Sequence, residues 1–317
     1  MIDSGQPLPV RPQPHPGYVA FIVLLVTVLS FGLVAQIVGI GVAYLIHGGD
    51  IMQFAEDLQD PVGKPGMKTA LMIAQAITTV LGLAITPFLF WWVMRRQSLW
   101  TFFPTRIRPA DLLYVLGIVI FFIGVNSVFA EWNSKIEYPG GFGVWARDIE
   151  NKAAELTKFM TSFSGIDEYL VAVLVIAVFA AIGEELVFRG LLQTELQKSF
   201  KNHHAAIWIS AIFFSALHLQ FYGFFPRVFL GAVFGYLYYW SGNLAIPMFA
   251  HFVNNFFAVT VIYLGLDKVP GMENDQPTAF PWPVVAISVL LCAALMYRFR
   301  ATQTPIANTL PQNDQPA

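Results

Sequence analysis

Charge is what this 317-residue chain has least of: 12% of its residues are Asp, Glu, Lys or Arg, against about 25% in soluble domains. That shortage leaves too little polar surface to cover a globule in water. The 18 basic and 20 acidic side chains nearly cancel, to a net −2, so no basic field points to nucleic acid. Cysteine is rarer still. Cys292 stands alone, which excludes an intrachain disulfide and a cysteine-built zinc site. The polar tail 301–317 shows no lipidation signal, and no internal repeat is visible.

What the chain has in quantity is apolar sequence, 56% of all residues with a mean hydropathy of +0.60. Apolar runs lie at 18–46, 69–94, 112–130, 168–198, 205–221, 227–240, 244–266 and 282–299. The first is about twice the length of a signal-peptide core and ends in no small-residue cleavage site, so it reads as a membrane helix. The expected fold class is therefore all-α, a polytopic membrane bundle of about eight transmembrane helices. Residues 1–17, with five prolines, read as a disordered lead. The one long loop, 131–167, carries an interfacial helix near 144–163 in this reading. Arg95, Arg96, Arg106, Arg108, Lys198, Lys201, Arg298 and Arg300 gather on one side, which by the positive-inside rule puts both termini in the cytoplasm.

Polar groups in hydrocarbon cost at least about 2.5 kcal/mol per charge at mid-membrane, so those present need a reason. Three segments between 184 and 255 break the apolar rule. In the first, Glu185 and Arg189 are spaced i, i+4, acid before base, and can pair along one helix face. Glu184 points about 100° away and has no local partner. An unpaired carboxylate suits proton transfer; the plain alternative is that both glutamates only hold the bundle together. The second segment brings His218 after Phe214. If the runs around 184 and 218 form an antiparallel hairpin turning at 201–204, Glu184 and His218 lie at similar depth. The third carries His251 and Asn255 on one face, again i, i+4, either as hydrogen-bond donors to an oxyanion or as an interhelical contact. Asn254 is the less likely partner on that helix. Glu184, His218 and His251 could equally ligate one zinc ion with water in the fourth position, although no HExxH helix is present. Arg227 reads as a surface anchor at the outer end of its run, and His203 and His204 as solvated turn residues.

Together, Glu-Glu-x-x-x-Arg at 184–189, Phe-x-x-x-His at 214–218 and His-x-x-x-Asn at 251–255 resemble, in order and spacing, the CPBP family of intramembrane endopeptidases. That family takes in the type II CAAX prenyl proteases and bacterial bacteriocin-processing and immunity proteins. The stretch from Gly235 to Pro247 that leads into His251 is similar as well. The resemblance implies that 168–266 is the catalytic core, with 18–167 and 267–300 as flanking helices and loops. It implies Glu184 as the catalytic glutamate, His218 as its partner in activating water, His251 and Asn255 as the oxyanion site, and Glu185 and Arg189 in support. It implies hydrolysis of a membrane-associated peptide or protein, in a bacterial inner membrane, by a metal-free glutamate-dependent site or with a single zinc ion. Two other readings compete: a non-catalytic immunity or scaffold protein, and a proton or solute transporter. The transporter reading predicts a repeat between halves that the sequence lacks.

Overall fold

A computed structural model describes residues 13–104, 106–266 and 277–303. Most of the expected disordered lead, much of the 267–281 loop and most of the tail lie outside these residues. Ten helices account for the described fold, with no strand among the described residues: α1 Pro16–His47, α2 Ile51–Gln59, α3 Met67–Arg95, α4 Pro109–Ser134, α5 Gly140–Met160, α6 Ile166–Phe200, α7 His203–Ala216, α8 Phe224–Ser241, α9 Ala245–Tyr263 and α10 Trp282–Thr302.

Six of them, α1, α3, α4, α6, α9 and α10, are long and apolar enough to cross a bilayer. Helices α7 and α8 supply the other two of the eight expected segments. The chain is an integral membrane helix bundle, and its burial pattern fits one: Ile37, Leu113, Leu170 and Leu290 are large, apolar and exposed, while Glu185, Arg189 and Glu195 are fully buried. That inversion is stable only where lipid replaces water around the outside. Helix α5, the expected interfacial helix, forms with Ala146 and Met160 buried and Val144, Trp145 and Leu156 exposed.

One boundary differs from the sequence expectation in a way that matters. The run 205–221 does not form one helix. Helix α7 stops at Ala216 after 14 residues, about 21 Å at about 1.5 Å per residue, short of a hydrocarbon core of about 30 Å. Leu219 then takes a left-handed conformation with φ of 55°, which ends the helix. His218 therefore sits in the turn after α7 rather than in a transmembrane helix. Helix α8 begins at Phe224, before Arg227 rather than at it.

Around the site, α6 and α7 form the expected antiparallel hairpin, turned by Lys201 at φ of 53° and capped where Asn202 accepts from the Ala205 amide at 3.2 Å. His203 and His204 are not simply solvated: His203 stacks on Tyr239 with ring centroids 4.2 Å apart, and His204 bonds the Tyr236 hydroxyl at 2.6 Å. Helix α8 packs on α7, and α9 packs against α6, α4 and α8.

Helix α6 is not a uniform α-helix. It widens to i→i+5 turns over Val173–Phe179 and Leu186–Gln193. Wide turns disturb the regular carbonyl ladder, and side chains from neighbours reach the carbonyls there. Asn255 donates to Ile176 O at 3.0 Å, and Ser210 donates to Phe188 O at 2.7 Å. At its far end α6 is tied to α3: Glu195 accepts from Arg95 Nε at 2.9 Å and from Trp91 Nε1 at 3.2 Å.

Candidate active site

The two adjacent glutamates of α6 have different surroundings. Glu185 is fully enclosed. Its Oε1 accepts from Arg189 at 2.7 Å and from His251 Nδ1 at 2.8 Å. Arg189 reaches on to Gly231 O on α8 at 2.9 Å and lies 4.7 Å from the centre of the Phe214 ring. A Cβ on Gly231 would stand 3.1 Å from the guanidinium, so the glycine makes room for this contact. The expected Glu185–Arg189 pair is present, and Glu185 also orients His251. The chain Arg189–Glu185–His251 links α8, α6 and α9.

Among the described residues Glu184 makes no direct side-chain hydrogen bond. Its Oε2 is buried without a partner among the described residues, 4.0 Å from His218 Nε2 and 3.9 Å from His251 Nε2. The hydrogen bonds on the other side of each ring assign the protons. His218 Nδ1 lies 2.9 Å from Phe214 O, a carbonyl that can only accept, so Nδ1 carries the hydrogen. His251 Nδ1 faces a carboxylate and carries its hydrogen for the same reason. In the neutral rings both Nε2 atoms therefore present lone pairs toward Glu184. Three acceptors converge on one gap, and such a gap is satisfied by a species that donates protons or carries positive charge. The gap is not enclosed on every side: the side chains of Glu184 and His218 keep 15% and 31% of their surface accessible.

The chemistry of two imidazoles and a carboxylate suits zinc; the spacing does not. Tetrahedral ligands at about 2.0–2.1 Å from zinc stand about 3.3 Å apart, less than the 3.9 Å and 4.0 Å observed. Among the described residues no group of three His, Cys, Asp or Glu could hold a metal ion. Two acceptors sharing one water at about 2.8 Å each stand roughly 4–4.5 Å apart, which matches. No step is therefore derived through a metal.

Asn255, read with His251 as an oxyanion donor, uses one Nδ2 hydrogen on Ile176 O and accepts from Asn254 Nδ2 at 3.1 Å. Its second amide hydrogen is free for another acceptor. Phe234 stacks on the His251 ring at 5.3 Å and fixes its plane.

Sequence reasoning missed the framework that holds the His218 turn. Asn133, at the end of α4, donates to Phe221 O at 2.9 Å and accepts from the Phe225 amide at 2.8 Å, which clamps both sides of the α7–α8 connection. Nothing in the sequence marks a lone Asn at a helix end for this role. Arg227 was also misread. It is no surface anchor: it is half-buried, donates to the Gln220 side chain at 3.0 Å and to Gln220 O, and lies within electrostatic reach of Glu184 and Glu150. The available signal was an arginine at the start of an apolar run, the kind of charge that marks a functional site in membranes.

The fold and this cluster define the class: a membrane-embedded helix bundle with a glutamate and two imidazoles around one partly open gap. Comparison with known proteins narrows it. Residues 166–257 match the family model described as type II CAAX prenyl endopeptidase Rce1-like, so the resemblance carried by the three motifs holds over that segment. The chain is also similar to the uncharacterized protein YpbD of Bacillus subtilis (strain 168), at 32% identity over 108 residues, covering 33% of this chain and 51% of YpbD. The match thus spans about half the length of that curated relative. No solved structure matches.

Proposed function

We propose that this chain is an intramembrane endopeptidase that cleaves a membrane-associated peptide or protein with a water activated by Glu184. One observation carries the reading: the buried, unpartnered Oε2 of Glu184 stands at water-bridging distance from two imidazole nitrogens, 4.0 Å and 3.9 Å away. A purely structural glutamate in a membrane bundle would bond directly to its neighbours, as Glu185 does.

In this mechanism Glu184 and His218 hold the water by accepting its hydrogens. The water oxygen attacks the peptide carbonyl carbon as one proton passes to Glu184, giving a tetrahedral intermediate with the negative charge on the former carbonyl oxygen. The C–N bond then breaks. The proton on Glu184 goes to the departing nitrogen, and the products are a carboxylic acid and an amine. His251 and Asn255 stabilise the intermediate. Asn255 offers its free amide hydrogen, and His251 can donate from Nε2 when that nitrogen carries a hydrogen. Arg189 holds Glu185 in place. The partners are the bilayer and the peptide, and the setting is a bacterial inner membrane with both termini cytoplasmic.

The test is cleavage of a peptide library by purified protein in liposomes, wild type against Glu184→Ala, with and without a chelator. The proposal expects products from wild type in both conditions and none from the variant. Robust cleavage by the variant removes the assignment. Activity that chelator abolishes and zinc restores replaces the metal-free mechanism.

A further inference from the structure

We infer that Arg227 is a further catalytic residue of this site, a fixed cationic donor for the oxygen that becomes negative during peptide hydrolysis; the inference rests on the peptidase reading above. It starts from a shortage. The gap at Glu184 is bounded by acceptors: Glu184 Oε2 and the Nε2 lone pairs of His218 and His251. The Nδ1 hydrogens of both rings are engaged by Phe214 O and Glu185, and one of the two Asn255 amide hydrogens by Ile176 O. Stabilising a tetrahedral oxyanion needs donors already in place before the reaction, and a neutral His251 supplies none.

Arg227 has what the gap lacks. It sits nine residues after His218 in sequence order, on the first turn of α8, and interacts electrostatically with both Glu184 and His218. Two of its five N–H bonds hold it to Gln220. Its Nε is buried with no partner among the described residues, and such a donor in a low-dielectric interior is costly unless something comes to accept from it. Glycine at 223 completes the arrangement: a Cβ there would meet the guanidinium at 2.7–3.0 Å, so the planar head lies flat on a residue with no side chain. Glu150 of α5 is a second carboxylate that interacts electrostatically with Arg227. It accepts from the Tyr222 amide at 3.3 Å. A guanidinium held by two hydrogen bonds to Gln220, two residues past His218, with its buried Nε–H still free, is placed to donate to an anion that develops at the gap.

The bland alternative is that Arg227 only straps the turn that carries His218. The two roles separate by kinetics on a fluorogenic peptide that wild type cleaves and Glu184→Gln does not. For Arg227→Gln the expected result is a fall in kcat of about 10²–10³-fold, the usual loss on removing an oxyanion donor, with little change in KM. Millimolar guanidinium should restore part of the activity of Arg227→Ala. Gln220→Leu, which removes the side-chain strap and leaves the backbone one, should change kcat far less than Arg227→Gln. A kcat for Arg227→Gln close to wild type overturns the inference while the inert Glu184→Gln leaves the peptidase reading intact; equal losses in Gln220→Leu and Arg227→Gln make Arg227 a strap and overturn it as well. If Arg227→Gln does not stay folded, Gly223→Ala decides. It displaces the head and keeps the charge, and misplacement on the order of 1 Å costs up to about 10²-fold; an unchanged kcat there overturns the inference. Cleavage by Glu184→Gln sinks the peptidase reading first, and this one with it.

Discussion

Helices α6 to α9 and the helices that flank them share widened turns but differ in what they bury. Where α1 meets α3, contact is by close backbone approach: a Cβ on Gly39 would stand 2.8 Å from Ala74 O, and neutral hydroxyls join in, Thr78 donating to Ala35 O at 3.2 Å and Ser30 to Gly82 O at 2.8 Å. Small residues that let backbones touch are the usual means of helix association in lipid. Both α1 and α3 also widen, over Ser30–Val34 and Val80–Ile85, so what sets α6 to α9 apart is a charged network buried among their apolar contacts. Wide turns in α6 are matched by Asn255 and Ser210, and a fully buried arginine ties three helices together. Buried polar networks are costly unless complete. In this one both Glu185 Oε2 and Glu184 Oε2 are buried without a partner among the described residues; Glu185 is anchored through Oε1, and the chemistry is proposed at Glu184, whose Oε2 faces two imidazoles.

The sharpest way to probe the contrast is within it, between neighbouring glutamates. Glu184→Gln should abolish turnover, a loss of about 10²–10⁴-fold for a general base, and leave the thermal midpoint in detergent close to wild type, because no direct bond is lost. Glu185→Gln should do the reverse in emphasis. Arg189 is buried at 0% exposure, and breaking a buried pair by removing one partner costs about 3–5 kcal/mol, visible as a large fall in the midpoint together with lost activity. If the two variants behave alike, the division of labour between the glutamates is wrong.

In the flanking region, Gly39→Ala should cost about 1–3 kcal/mol by overpacking the α1–α3 contact, read from the same melting curve, with kcat unchanged. The smallest effect belongs to a single capping bond: Ser210→Ala should cost about 0.6 kcal/mol, the average for a hydrogen bond between membrane helices. A loss several times larger would mean that the widened turn at 186–193 depends on that one hydroxyl.

Much of this contrast was legible beforehand, and the parts that were not share a cause. The i, i+4 pairing of Glu185 with Arg189 and the isolation of Glu184 follow from helical geometry alone. The meeting of Glu184 and His218 follows from a hairpin turning near Lys201, since equal rise on both arms puts them level. The end of α7 at Ala216 was not legible, because Leu217, Leu219 and Phe221 continue an apolar run and nothing local marks the left-handed turn at Leu219. The same hidden turn explains Arg227, which reads from sequence as a surface anchor but is half-buried and bonded to Gln220 within that turn. The hydrogen bond from His251 to Glu185 was equally hidden. Sequence spacing gives faces within one helix, whereas this contact depends on how α9 is rotated against α6.

The central claim is that Glu184 and His218 act on one shared water, and a double-mutant cycle addresses it most directly. Residues that act as a unit show losses that do not multiply. With turnover measured for Glu184→Ala, His218→Ala and the double variant, the account predicts that the double variant is no slower than Glu184→Ala alone. Losses that multiply would mean that the two side chains act on separate steps or separate molecules, and the shared water would have to be abandoned.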